Sequence, residues 1–153
     1  MKKTAMLCAA MLVSGFVFAQ KKTEKVNVPA AVQAAFAKQF PSAKSVEWSM
    51  ESKTEYEAEF KNGALEQAAN FDASGKWVVT ETEIKKADLP AAVTKAIAKD
   101  FAGYKTEEVE KVEKPGSVYY ELKVEKGETS YVVEVSPEGK VLKKQQEKEE
   151  KKR

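Results

Sequence analysis

The chain states one plan twice, and this limits its possible folds more than any other feature. Val28-Pro29-Ala30-Ala31-Val32 opens one segment, and Leu89-Pro90-Ala91-Ala92-Val93 opens a second. Further along, Tyr56 pairs with Tyr120, Gly63 with Gly127, Phe71 with Val135 and Gly75 with Gly139, at a near-constant offset of about sixty residues. Self-similarity of this kind marks a supersecondary unit that cannot bury its apolar face alone and so stacks on a copy of itself. The repeats are read as residues 28–84 and 89–145.

Each repeat reads as a helix followed by four short strands. Pro29 and Pro90 suit a first helical turn, where a fixed φ and a missing N–H cost nothing. Val32, Phe36 and Phe40 recur every four residues, as do Val93, Ile97 and Phe101, giving each helix one apolar stripe. Pro41 and Gly103 close the helices.

After the helices the period changes from four to two. Val46, Trp48 and Met50 share a face. Tyr56, Ala58 and Phe60 alternate with Glu55, Glu57 and Glu59; Val118, Tyr120, Leu122 and Val124 alternate with Tyr119, Glu121, Lys123 and Glu125. This is the pattern of an antiparallel sheet with one covered face and one wet face. Third strands run from Leu65 to Phe71 and Thr129 to Val135; fourth strands begin at Trp77 and Val141. Asn62-Gly63 and Lys126-Gly127 mark tight hairpins. Asp72 to Gly75 and Ser136 to Gly139 suit type I turns that end in a left-handed glycine. The connector from Ile84 to Asp88 is short, which favours one shared sheet or core. The expected class is α+β, as two tandem repeats of one helix and a four-stranded antiparallel meander. Alternation sends Trp48, Tyr56, Tyr120 and Tyr131 to the helix-covered side and Tyr119 outward. Trp77 stays open, because its neighbour Val78 is apolar too.

The ends are read separately from the domain. Lys2 and Lys3, an apolar run from Ala5 to Phe18, and Val17-Phe18-Ala19 make residues 1–19 a secretory signal peptide, cut between Ala19 and Gln20. A lipoprotein modified at Cys8 fits worse: there is no room for an apolar run before it, and Leu7 is too large for the preceding position. Residues 20–145 then form a single domain, and 146–153 a charged, solvated tail. Cleavage removes two lysines and no acid, so a formal charge of +2 becomes an even balance. No basic patch favours nucleic acid, and no membrane span is expected after cleavage. The expected location is the periplasm or the outside of the cell.

Composition excludes most familiar catalysis. The chain has no histidine, and its only cysteine is Cys8. That removes Ser-His-Asp and Cys-His arrangements, a thiol nucleophile and ordinary zinc sites. The glycines are scattered through turns and build no phosphate loop. No cofactor is expected. Glu55, Glu57, Glu59 and Asp72 are calcium candidates, because hard cations want several oxygens at once. No EF-hand-like loop accompanies them.

The helix opening Leu/Val-Pro-x-x-Val, the ending Phe36-x-x-x-Phe40-Pro41, Val46-x-Trp48, Tyr56-x-x-x-Phe60 and Phe71-Asp72-x-x-Gly75 resemble the PepSY-like proteins of bacterial envelopes. Those proteins have tandem α+β repeats similar in fold to β-lactamase inhibitor protein. The likeness spans about Val28 to Gln145. In the second repeat Lys111 stands in the place of Trp48 and Ala102 in that of Pro41. The resemblance implies a secreted, non-enzymatic module, and it supplies no catalytic residue. The resemblance implies that its relatives bind or restrain other proteins, peptidases being the suggestion that gave the family its name.

The function expected is therefore recognition of another periplasmic or secreted protein through the open sheet face, as an inhibitor of a peptidase or other enzyme. Tyr119, Glu121, Lys123 and Glu57 are the residues expected to carry it, since aromatic side chains bury much area with few rotatable bonds. The alternative is a small-ligand or calcium-responsive periplasmic binding protein.

Overall fold

The computed structural model describes residues 26–147. The expected signal peptide and the tail beyond Glu147 lie outside the described residues. Helix α1 (Ala30–Gln39) follows Pro29 and ends at Phe40, whose N–H still reaches the Phe36 carbonyl at 2.8 Å. Strands β1 (Ala43–Met50), β2 (Glu55–Asn62), β3 (Leu65–Asp72) and β4 (Trp77–Glu83) come next. A 3-10 turn at Lys86–Asp88 leads to α2 (Ala91–Asp100). Strands β5 (Lys105–Lys114), β6 (Ser117–Lys126), β7 (Thr129–Val135) and β8 (Val141–Glu147) complete the order. All eight strands form one sheet in sequence order, each antiparallel to the next.

Both helices lie on the same face of this sheet, over separate cores. Val32, Phe36 and Phe40 of α1 pack with Ala58, Phe60, Ala69 and Phe71, and Trp48 and Tyr56 close the margin. Val93, Ile97 and Phe101 pack with Val109, Leu122, Val124, Val133 and Val135. The halves thus share a sheet rather than a core. Between the two clusters the helix-side surface is polar: Gln67 gives its side-chain N–H to Thr82 Oγ1 at 2.8 Å, and the Trp77 indole N–H reaches Thr80 Oγ1 at 2.9 Å. Trp77 itself packs against the first cluster. A bulge between the Phe71–Trp77 and Asn70–Val79 pairs removes the ambiguity, because it spends Val78 as the extra residue.

Two glycines fix where the helices sit. Gly75 (φ +84°) and Gly139 (φ +87°) close the β3–β4 and β7–β8 turns. A Cβ on either would stand 2.6 Å or 2.5 Å from the carbonyl oxygen of Ala31 or Ala92. Each turn therefore lies directly against the first turn of its helix, and both helices are held at equivalent places.

Several expectations shift in detail. Asn62 pairs with Leu65 and Lys126 with Thr129, so the tight loops are Gly63-Ala64 and Gly127-Glu128, one residue later than the sequence suggested. Glycine leads each loop with positive φ (+65° and +59°), as a type II′ turn requires. Lys111 is not the counterpart of Trp48. Trp48 faces Ala58, and its equivalent opposite Leu122 is Val109. The additional length of the second half lies beyond that point, in the longer β5–β6 hairpin. Strand β8 runs to Glu147, two residues past the boundary expected at 145. Its pairing partner there is Ser130, whose hydroxyl donates to Glu147 Oε2 at 2.8 Å.

Phe36 meets the rings of Phe60 at 5.0 Å, Trp48 at 5.2 Å, Phe40 at 5.4 Å and Phe71 at 6.3 Å. Phe36→Ala is expected to cost about 3–5 kcal/mol in chemical denaturation. Gly75→Ala is expected to destabilise more than Gly116→Ala. Both have positive φ, but an added Cβ meets nothing within 4 Å at Gly116.

Candidate binding face

Strand alternation leaves the second face of the sheet without a helix. Antiparallel partners share a face, so the pairing register assigns its occupants. Strand β2 presents Glu55, Glu57 and Glu59; β3 presents Ala68 and Asn70; β4 presents Val79, Glu81 and Glu83. Strands β5 and β6 add Glu108, Glu110 and Val112, then Tyr119, Glu121 and Lys123. Val132 and Glu134 of β7 and Lys143, Gln145 and Glu147 of β8 complete it.

The centre of this face is covered by its own side chains. Ala68 (8% exposed), Asn70 (4%), Val79 (6%) and Val112 (1%) are buried, yet none belongs to either helix-side core. The longer side chains around them, Glu57, Glu81, Glu110 and Tyr119 among the neighbours in register, lie over these short ones.

This cover is acidic in an unusual way. Glu83 faces Glu110, Glu110 faces Glu121, and Glu121 faces Glu134 before a cation, Lys143, ends the row. Like charges directly opposed across strands are destabilising. Burial pushes the Glu81 carboxyl up to about 8, helped by the charges of Glu110, Glu121 and Glu57. Burial likewise pushes Glu110 up to about 7, with Glu121, Glu108 and Glu83 adding to it. Glu57 rises to about 7 through burial and then the charges of Glu51 and Glu59, although Ser49 Oγ donates to it at 3.1 Å. Glu121 is also raised, first by burial and then by Glu134.

The cations of the face pair at its margins, and the charges of Lys114 and Lys143 also reach the central acids: Lys114 opposes the rise of Glu81, and both oppose that of Glu121. Lys123 pairs with Glu147 at 3.1 Å and Lys143 with Glu134 at 3.0 Å. Lys114 Nζ lies 5.2 Å from the centre of the Tyr119 ring. Among the described residues, Glu81 and Glu110 have neither a hydrogen bond nor an ion pair.

Of the residues singled out from the sequence, Tyr119, Glu121, Lys123 and Glu57 all lie on this face. Tyr119, Glu121 and Lys123 run down β6, while Glu57 stands on β2 beside Asn70. Glu55, Glu57 and Glu59 form a stripe along β2, and Asp72 faces Glu55 across the β2–β3 ladder. Asp72 is occupied by its own turn: Oδ1 accepts from the Ser74 N–H at 2.8 Å, the Ser74 hydroxyl at 2.5 Å and the Lys76 N–H at 3.0 Å. Among the described residues no group of three or more His, Cys, Asp or Glu is placed to hold a metal ion.

The sequence alone does not single out Glu81, Glu110, Asn70 or the buried Val79 and Val112 of this face. Bulges in β4 and β5 interrupt the period of two. In β5, Val109 and Val112 are spaced like helix neighbours but lie on opposite faces of the sheet. Only the pairing partners, Leu122 and Tyr119, reveal which is which.

Comparison with known proteins gives a family and a set of like folds. The model of the family described as "putative beta-lactamase-inhibitor-like, PepSY-like" matches residues 19–66 and 54–143. A BLIP-like protein from Bacteroides fragilis NCTC 9343 is 26% identical, with a TM-score of 0.74 over 82% of this chain and 90% of that one. A protein from Bacteroides eggerthii DSM 20697, described as "putative periplasmic", is 28% identical, with a TM-score of 0.74 over 79% and 90%. A DUF2874 family protein from Bacteroides ovatus ATCC 8483 is 27% identical, also with a TM-score of 0.74, over 79% and 89%. No curated protein matches the chain. Among the described residues no helix is long and apolar enough to cross a membrane.

The acidic cover predicts an inverted pH response. Between the ordinary carboxyl value of 4.5 and about 7 to 8, the native state keeps protons on Glu57, Glu81 and Glu110 that the unfolded chain has released. Their contribution to stability is therefore full below about pH 4.5 and is lost as pH rises from there through 7 to 8. Thermal melts should show Glu110→Gln more stable than the parent at pH 8.5 and nearly equal to it at pH 4.

Proposed function

The chain belongs to the putative beta-lactamase-inhibitor-like, PepSY-like family, and on that premise we propose that it is an exported, non-catalytic module. It grips another envelope protein with the helix-free face of its sheet and restrains that partner, a peptidase or another enzyme. One observation carries the reading: the helix-free face holds its own buried apolar residues, Val79 and Val112, beneath Glu81, Glu110 and Tyr119, so it is a packed, ordered surface.

The other supports are chemical. Tyr119 stands half-buried opposite Val112, where an aromatic anchor at the centre of an interface would stand. The absence of histidine removes the usual general base. The names of the similar structures, one BLIP-like and one periplasmic, agree with an exported binding protein.

A photo-crosslinker replacing Tyr119 in cells is expected to trap a partner that the same group at Lys95, on the outer side of α2, does not. With that partner purified, Tyr119→Ala should keep its melting temperature within a few degrees of the parent and bind at least tenfold more weakly. Equal affinity in the two proteins would remove this face as the binding surface.

A further inference from the structure

We propose that the chain pairs with a second copy of itself through the outer edge of β8, antiparallel about a two-fold axis at Gln145, so that Lys143 of each copy faces Glu147 of the other. The inference goes beyond the function proposed above and does not depend on it.

The first support is what the equivalent strand does in the first half. Strands β4 and β8 follow matching turns, closed by Gly75 and Gly139, and each then has one bulged residue, Val78 or Leu142. Beyond its bulge, β4 uses residues 80–83 of its outer edge for the ladder to β5. The matching residues of β8, 144–147, are regular strand, and among the described residues no strand lies on their outer side.

Strand β1, at the other end of the sheet, is not built to fill that place. Strand β5 receives β4 with residues 110–113, which continue past Val109 into the longer β5–β6 hairpin. Val109 corresponds to Trp48, and β1 stops two residues later at Met50. Strand β1 is also broken by a bulge, where Ser45 takes φ +54°. Bulges and charged residues are how sheets guard an edge. On β8 the bulge at Leu142 precedes the regular stretch, and the lysines turn back onto their own sheet. Lys143 pairs with Glu134 at 3.0 Å, and Lys144 Nζ lies 4.0 Å from the centre of the Tyr131 ring.

Charge then selects the register. In a two-fold antiparallel pair, residues of one face must meet residues of the same face, so the axis falls on a residue. An axis at Lys143, Lys144 or Glu147 sets like charges against each other, which is destabilising. An axis at Gln146 brings together fewer of residues 143–147. An axis at Gln145, the midpoint of the strand beyond its bulge, sets Lys143 against Glu147 twice, Lys144 against Gln146 twice, and Gln145 against its copy. Lys143 and Glu147 both lie on the helix-free face, so each pair meets on one side of the joined sheet. The helices leave room for it. The cores of α1 and α2 centre on β2 and β6, four strands apart, and the two α2 helices would stand five strands apart. Five paired residues a side make a ladder about 17 Å long. That buries less than the roughly 1,000 Å² of a strong interface, so the association is weak and reversible.

The test uses the mature chain. Sedimentation velocity from about 10 μM to about 1 mM should show one reversible step from one chain to two, and no further growth. Gln145→Lys places like charges on the axis at an exposed position; it should weaken the association at least tenfold and keep the melting temperature within a few degrees. Cys8 lies in the expected signal peptide, so Gln145→Cys has a single thiol. Oxidised at high concentration, it should form a disulfide-linked dimer, because opposed Cβ atoms across antiparallel strands are about 5 Å apart. Lys143→Cys should crosslink at least tenfold more slowly by itself, but readily when mixed with Glu147→Cys. A one-chain mass at every concentration would overturn the proposal. Growth beyond two chains would overturn it as well, since that is the open series of copies a β8–β1 contact would build. Equal crosslinking of Lys143→Cys and Gln145→Cys, each by itself, would overturn the register and the charge pairing with it.

Discussion

Everything in this molecule follows from covering only one side of a continuous antiparallel sheet. Two helices dock on the same face, and each carries a single apolar stripe to bury. One set of alternate strand residues is thereby committed to the interior, and the other is left to face outward without cover. The ladder between β4 and β5, from Thr80–Glu113 to Glu83–Glu110, joins the halves into one surface although their cores are separate. Without that ladder each half would be a helix on four strands, too small to be comfortably stable alone.

The docking of the helices and the character of the far face are linked. Gly75 and Gly139 let the β3–β4 and β7–β8 turns approach the first turns of α1 and α2. The helices then sit over Phe60, Phe71, Leu122 and Val133, where the strands are most apolar. The middle of the sheet lies between the helices, and its helix side is served by Gln67, Thr80 and Thr82. On the opposite side, that same central region carries Asn70, Glu81, Glu110 and Val112. The polar seam between the helices and the acidic centre of the open face are two sides of the same strands.

The opposed glutamates weaken the folded state, and that is informative. A surface selected only for solubility would place lysine opposite glutamate, as Glu134 and Lys143 do. Instead Glu110 meets acids on both sides, and burial holds its carboxyl near neutrality. Such groups make the stability of the fold sensitive to pH in a range where ordinary carboxylates no longer respond.

The class and order of the elements are legible along the chain. Spacing of four in Val32-Phe36-Phe40 and spacing of two in Tyr56-Ala58-Phe60 are local periods, and each dictates one buried side whatever the rest of the chain does. Tyr119, Glu121, Lys123 and Glu57 were legible as outward-facing for the same reason. The face of Trp77, the equivalence of Val109 rather than Lys111 to Trp48, and the grouping of Asn70, Glu81, Val112 and Glu110 emerge only when the strands pair. Each of those depends on a bulge or on a partner strand: one inserted residue reverses every side chain after it, and residues from β3, β4 and β5 become neighbours only through pairing. Periodicity is written along the chain, but register lies between strands, and no single strand records it.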